Sequence, residues 1–149
     1  MLNFRTLSPD DLPTISDLYY SVFTAPPWND DWNDSRQLRE YLRDLTDVRN
    51  ALSFGMFEEN KLVGASLGHV MHWCTGTQYY IHEFFIDSKR QNCGLGTIFL
   101  KHIENSLIEL QIKDIFLHTG LHTPAYIFYK KNGFTLIEDH VSLIKHISE

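Results

Sequence analysis

Apolar residues at Leu12, Ile15, Leu18, Tyr19, Val22 and Phe23 recur in steps of three and four and predict an amphipathic helix. Ser8-Pro9-Asp10-Asp11 precedes them with an N-cap serine, a proline in the first helical position and acids in the first turn. Phe4-Arg5-Thr6-Leu7 predicts a strand before that helix. A loop over residues 25–33 with two prolines leads to a second helix, whose apolar face is Leu38, Tyr41, Leu42 and Leu45. Residues 52–57 and 61–73 predict a hairpin around Glu58-Glu59-Asn60. In its second arm Val63, Ala65, Leu67, Met71 and Trp73 alternate with smaller or more polar residues. The aromatic and β-branched run over residues 79–87 predicts a buried strand. Leu95, Phe99, Ile103, Leu107 and Leu110 then return to helical spacing. A strand over residues 114–119 follows, and then a stretch from Pro124 to Phe134 that closes on a glycine as a helix does. Gly133 suits the left-handed residue that ends a helix, and Phe134 opens a further apolar strand.

The junction between the aromatic strand and the long helix reads Gln91-Asn92-Cys93-Gly94-Leu95-Gly96-Thr97. Two glycines one residue apart let the backbone turn tightly and keep side chains away from the first amides of the helix. Those amides lack intrahelical acceptors and lie at the positive end of the helix dipole, which suits phosphate oxygens. A dinucleotide fingerprint, G-x-G-x-x-G, and a P-loop, G-x-x-x-x-G-K-[ST], are both missing from the sequence. Lys89-Arg90 is a basic pair beside the turn, placed to steer a pyrophosphate or to serve as ordinary surface.

Composition narrows the partners. With 149 residues, 43% of them hydrophobic, the chain is read as one domain over residues 1–149 with material for a core. Its thirteen Lys and Arg are scattered among nineteen Asp and Glu, for a net charge of −6. Nucleic acid needs clustered cations, so it is not the expected partner, and a cationic acceptor fits better. No apolar run approaches 18 residues and no signal peptide opens the sequence, so neither a membrane nor secretion is expected. Two cysteines, Cys74 and Cys93, suit a reducing cytoplasm.

Gln91, Gly94 and Gly96 resemble the Q/R-x-x-G-x-G/A pyrophosphate loop of the GCN5-related N-acetyltransferases, the GNAT superfamily. Ala125 to Phe134 resembles a second signature of that family, A-x-x-x-Y-x-x-x-G-F, with Tyr129 as its tyrosine and Gly133-Phe134 as its end. The two stretches stand in the family's order, and the resemblance extends over roughly residues 3 to 147. It implies an α/β (α+β) fold with a mixed central sheet splayed between its fourth and fifth strands and helices on both faces. It also implies acetyl-CoA as co-substrate, no metal, and direct transfer of acetyl to an amine through a ternary complex. A monomer and a homodimer both remain open.

Acetyl transfer from a thioester needs a neutral amine, a stabilised oxyanion and a protonated leaving thiolate. The resemblance places Tyr129 near the thioester sulfur, where a phenol of pKa near ~10 is a sensible proton donor. A core aromatic is the other reading of that residue. By the same resemblance the cofactor lies along Phe84, Phe85 and Ile86, with the Phe84 amide on the thioester carbonyl and Ile86 on the pantetheine. It then meets the loop formed by Gln91, Asn92, Cys93, Gly94, Leu95, Gly96 and Thr97. The family tolerates almost any residue at Cys93, so a nucleophilic thiol is not expected. Relatives often carry an asparagine contacting the cofactor where this chain has His122.

For the base, His82 and Glu83 are candidates, pointing to opposite faces of the strand unless a bulge intervenes. Small-amine acetyltransferases resemble this strand but carry two acids there. A carboxylate at Glu83 suits a cationic amine, and a histidine near ~6.5 suits direct proton removal. His118 on the next strand is a third candidate. Pro26-Pro27-Trp28-Asn29-Asp30-Asp31-Trp32 reads either as an acceptor-binding loop or as a plug at the core edge. Trp73, Tyr79 and Tyr80 are candidate aromatic walls. The expected acceptor is a small-molecule amine; the alternatives are a protein or peptide amine, or a non-catalytic acyl-CoA-binding module.

Overall fold

The computed structural model describes residues 1–148. It resolves into two compact units, Met1–His118 and the residues from Thr119 on. In the first, β1 (Leu2–Leu7) leads through a 3-10 turn to α1 (Leu12–Phe23) and α2 (Ser35–Thr46). Next come β2 (Ala51–Glu58), β3 (Lys61–Trp73), β4 (Gly76–Ile86), α3 (Leu95–Glu109) and β5 (Asp114–Leu117). Local chemistry sets the boundaries. Ser8 and Asp11 form a capping box, and the Asp34 side chain accepts from the amides of Arg36 and Gln37 to start α2. Glu59 and Asn60 both take positive φ (49° and 67°), the geometry of a two-residue hairpin turn.

The five strands form one sheet in chain order, antiparallel from β1 to β4 and parallel between β4 and β5. One face carries the stripes of α1 and α2 with Leu62, Ala65, Leu67 and Phe85. The other carries α3 with Phe54, Met56, Val63, Tyr79, Ile81 and Ile86. The sheet is thus mixed, with helices on both faces.

Two bulges set which residues share a face. Met56 pairs with Gly64 but Phe57 pairs with Leu62, so Val63 is the extra residue. Val63 therefore packs with Met56 rather than beside Ala65 and Leu67, contrary to the simple alternation expected for this arm. Met71 and Trp73, expected to continue that stripe, are 49% and 63% exposed because β3 runs past the helices. In β4, Leu67 pairs with Glu83 and Gly68 with Ile81, which leaves His82 as the extra residue. Before it, Tyr79 and Ile81 face α3; after it, Phe84 and Ile86 do. Glu83 and Phe85 accordingly turn toward α1 and α2.

The parallel ladder between β4 and β5 ends at Ile81 and Leu117, although β4 continues to Ile86 along β3. This is the splay between the fourth and fifth strands. Tyr79, expected as an aromatic wall, is instead fully buried in the core under α3. A Cβ at Gly68 would lie 2.5 Å from its ring, so glycine is what admits it. The Tyr79 hydroxyl bonds Ser66 Oγ and the Leu52 carbonyl, both at 2.9 Å. Tyr79→Phe is expected to lower unfolding free energy by about 1–3 kcal/mol in urea titrations, since it strands buried acceptors. A change within error would show the hydroxyl to be idle.

The second unit contains α4 (Pro124–Lys131), with Thr123 as N-cap accepting from the Tyr126 amide. Gly133 adopts φ +90°, and the Phe134 amide donates back to the Tyr129 carbonyl at 3.0 Å, closing the helix as expected. The strand expected from Phe134 is not formed: residues 134–148 have no ladder. Leu136, Ile137, Val141, Leu143, Ile144 and Ile147 in that stretch are 42–91% exposed. An apolar run makes a strand only where a neighbour takes up its backbone bonds and covers one face.

Candidate functional site

The turn after β4 is held from beneath. Asp87 donates its amide to the Val63 carbonyl at 2.8 Å and accepts from the Lys89 amide at 3.0 Å. Gln91 Nε2 donates to the Ile86 carbonyl at 3.0 Å, so Gln91 braces the loop against the strand. Cys93 Sγ donates to the Arg90 carbonyl. Asn92 and Gly94 take φ of +61° and +81°, and Gly94 is the N-cap of α3 without a side-chain cap. The amides of Leu95, Gly96 and Thr97 form the first turn of α3, where a helix offers donors to an anion. A Cβ placed on Gly94 would meet nothing within 4 Å, so the space beside this residue is open. The Leu95 side chain is buried in the core under α3. Of the basic pair, Arg90 is tied to Glu58 at 2.6 Å, while Lys89 is exposed.

Farther back on β4, Glu83 accepts from the Tyr41 hydroxyl at 2.7 Å and the Tyr19 hydroxyl at 3.5 Å. Burial pushes the Glu83 carboxyl above its ordinary value, and these two donors oppose the shift. Burial and the neighbouring carboxylate push both phenols up, so they stay protonated donors. Trp32 stacks on Tyr41 at 5.5 Å between centroids and meets Tyr19 edge-on at 5.8 Å. Asp30 lies near enough to raise Glu83 and both tyrosines further. The loop over residues 25–33 thus contributes Trp32 and Asp30 to this cluster, while Trp28 leans on Phe23. Tyr19 and Tyr41 had read only as apolar stripe. Their signal was a hydroxyl on a helix face that must point at the sheet.

His82 keeps to the face of Tyr80, and the bulge after it brings Glu83 onto that side as well. His82 Nε2 lies 3.0 Å from His69 Nδ1 across the ladder, and its ring packs on Tyr80 at 4.3 Å. The Tyr80 hydroxyl bonds His118 Nδ1. Partial burial and the imidazoles of His69 and His118 push His82 down to about 4, even though part of its surface stays open to solvent. The expected pKa near ~6.5 is therefore revised: the ring is neutral throughout the physiological range. Sequence reading missed His69, which gains a partner only through β3–β4 pairing. His69 Nε2 is buried without a hydrogen-bond partner.

Phe84 packs its ring on Phe99, and the Phe85 side chain is buried under α1. In the second unit His122 is exposed at φ +70°, just before the N-cap of α4. Tyr129 is 8% exposed, with Phe128 and Phe134 edge-on at 5.4 and 5.2 Å. Trp73 stands exposed at the end of β3. Among the described residues no group of three or more His, Cys, Asp or Glu is arranged to hold a metal ion, and no helix is long and apolar enough to cross a membrane.

The sequence model of the acetyltransferase (GNAT) family matches residues 12–134. No curated protein matches the chain. Among solved structures, it is similar to the aminoglycoside acetyltransferase meta-AAC0020 from an uncultured soil metagenomic sample, in complex with sisomicin. That pair is 22% identical with a TM-score of 0.76, over 99% of this chain and 97% of the other. A ribosomal-protein-alanine N-acetyltransferase from Brucella melitensis biovar Abortus 2308 is 15% identical with a TM-score of 0.76, over 99% and 100%. A predicted acetyltransferase with acetyl-CoA from Clostridium acetobutylicum is 19% identical with a TM-score of 0.69, over 97% and 96%. At these identities the likeness is one of fold.

Proposed function

This chain belongs to the acetyltransferase (GNAT) family, and from that premise we propose that it transfers acetyl from acetyl-CoA directly to a primary amine of a small molecule. The observation that carries the acceptor class is Glu83: a half-buried carboxylate held by two tyrosine hydroxyls and walled by Tyr19, Tyr41 and Trp32. Carboxylate charge against aromatic faces favours a compact cation over a neutral or anionic group. The acidic net charge adds long-range attraction of the same sign.

In this reading the first amides of α3, bared by Gly94 and Gly96, take the pyrophosphate, with Gln91, Asn92, Cys93, Leu95 and Thr97 shaping the turn. The end of β4 receives the pantetheine through the main chain of Phe84, Phe85 and Ile86, and the Phe84 amide stabilises the oxyanion. Glu83 draws the amine, and His82, neutral at working pH, accepts the proton released as the new N–C bond forms. Tyr129 returns a proton to the leaving thiolate. His122 replaces the asparagine with which relatives often contact the cofactor, and in this reading it takes over that contact.

Glu83→Gln keeps an oxygen for the two tyrosines and removes the charge. The acceptor KM should rise by about tenfold or more while the acetyl-CoA Kd stays unchanged, as for truncation of a desolvated charge pair. A fall in kcat with an alkaline shift of the optimum would instead make Glu83 the base. The reaction class is tested by thiol release from acetyl-CoA with simple amines, polyamines, aminoglycosides and peptides. Turnover confined to peptides would favour a protein acceptor. CoA binding without turnover on any acceptor would mark a binding module.

A further inference from the structure

Two imidazoles on neighbouring strands, His82 on β4 and His69 on β3, share one hydrogen bond at 3.0 Å with ring centroids 4.5 Å apart. We propose that His69 is a positioning residue for proton removal: its Nδ1 accepts from His82 Nε2–H, which fixes His82 in the tautomer whose Nδ1 lone pair takes the proton of the acceptor amine. This rests on the acetyltransferase reading above and adds to it a residue that the sequence motifs do not contain.

Two neutral imidazoles joined from Nε2 to Nδ1 have only two arrangements, because one ring must donate and the other accept. If His82 donates, both rings carry their proton on Nε2, the intrinsically preferred form of neutral imidazole. If His69 donates, both are forced into the less favourable Nδ1–H form, and the His82 lone pair is consumed by the bond. His69 Nε2 is buried without a hydrogen-bond partner in either arrangement, so the choice between them falls to the intrinsic preference. Alternation makes the pairing: His82 lies two residues beyond Tyr80, on the face where His69 pairs opposite Tyr80, and the bulge brings Glu83 round to that same side.

The titratable groups around His82 are His69 from β3, Tyr80 and Glu83 from β4, and His118 beyond β5, with Tyr19, Tyr41 and Asp30 gathered about Glu83. In the step itself the amine, first made neutral by loss of its ammonium proton from beside Glu83 to water, bonds the acyl carbon through its nitrogen. Its N–H bond breaks toward His82 Nδ1, and the C–S electron pair leaves with the CoA sulfur. His82 becomes imidazolium, still donating from Nε2 to His69, which spreads the new charge.

The full-length protein, labelled with 15N, is read by long-range 1H–15N NMR at neutral pH, with His82 assigned by its loss in His82→Gln. The expected spectrum shows His82 as the Nε2–H tautomer, and a tautomer mixture in His69→Leu. An Nδ1–H ring in the unaltered protein, or no change in His69→Leu, overturns the proposal. In turnover assays a positioned base is worth roughly 10²–10⁴-fold, so His69→Leu should lower kcat by about tenfold with acceptor KM and acetyl-CoA Kd unchanged. His69→Asn, whose amide oxygen stands near the lost Nδ1, should stay within about threefold of the parent. His69→Asp should move the acid limb of kcat/KM upward, since a carboxylate beside His82 raises its basicity. Equal losses in the Leu and Asn variants, or an unmoved limb in the Asp variant, would reduce His69 to packing and overturn the proposal. Should no amine be turned over, the reading of the reaction fails, and the tautomer measurement still decides the role of His69.

Discussion

Replacing Gly94 with valine is expected to weaken CoA binding by roughly a hundredfold or more while leaving the protein folded. Gly94 caps α3 at φ +81°, a conformation that costs an L-residue about 1–2 kcal/mol and a β-branched one more. Nothing in the protein lies within 4 Å of a Cβ built there, so the substitution does not disturb the core. The added side chain would stand over the amides of the first turn, and the turn itself would relax away from them. A hydrogen bond to a charged phosphate is worth about 1.5–3 kcal/mol, so losing two weakens CoA by roughly a hundredfold or more. Calorimetry with CoA, beside a urea melt of the same variant, separates the two effects. Unchanged affinity in a folded Gly94→Val protein would remove this turn from the cofactor site.

Tyr129→Phe should lower kcat by about a hundredfold or more with little change in acetyl-CoA affinity, because a general acid acts in the transition state. The ring is buried, with Phe128 and Phe134 edge-on, and phenylalanine keeps that packing. Loss of turnover therefore reports the hydroxyl and not a cavity. A drop of less than about threefold would make Tyr129 a core aromatic, the second reading its motif allows.

The glycine turn was legible because its signal is local: a strand, two glycines and a helix in direct succession dictate which amides are bare. The same holds for the end of α4, where Gly133 takes the left-handed conformation its position demands. His82 and Glu83 were legible as candidates but not in their surroundings. Alternation predicts opposite faces, and the bulge that reassigns them depends on how β4 registers against β3, residues distant in the chain. His69, Tyr19 and Tyr41 carry no motif. They enter the site only as hydrogen-bond partners, a histidine from across a ladder and two hydroxyls from helices laid on the sheet. The strand expected after Phe134 failed for the converse reason, since its local pattern was sufficient but no neighbouring strand took up its bonds.

By itself, then, the sequence determined the order of elements as far as α4, the family and the glycine turn, because each is written in contiguous residues whose backbone preferences act within a few positions. Tertiary structure alone decided that Glu83 is clasped by two tyrosines and that His82 is held neutral against His69. Burial and ladder register are set by residues up to 64 positions apart, and the protonation of a side chain follows the groups that fold brings against it.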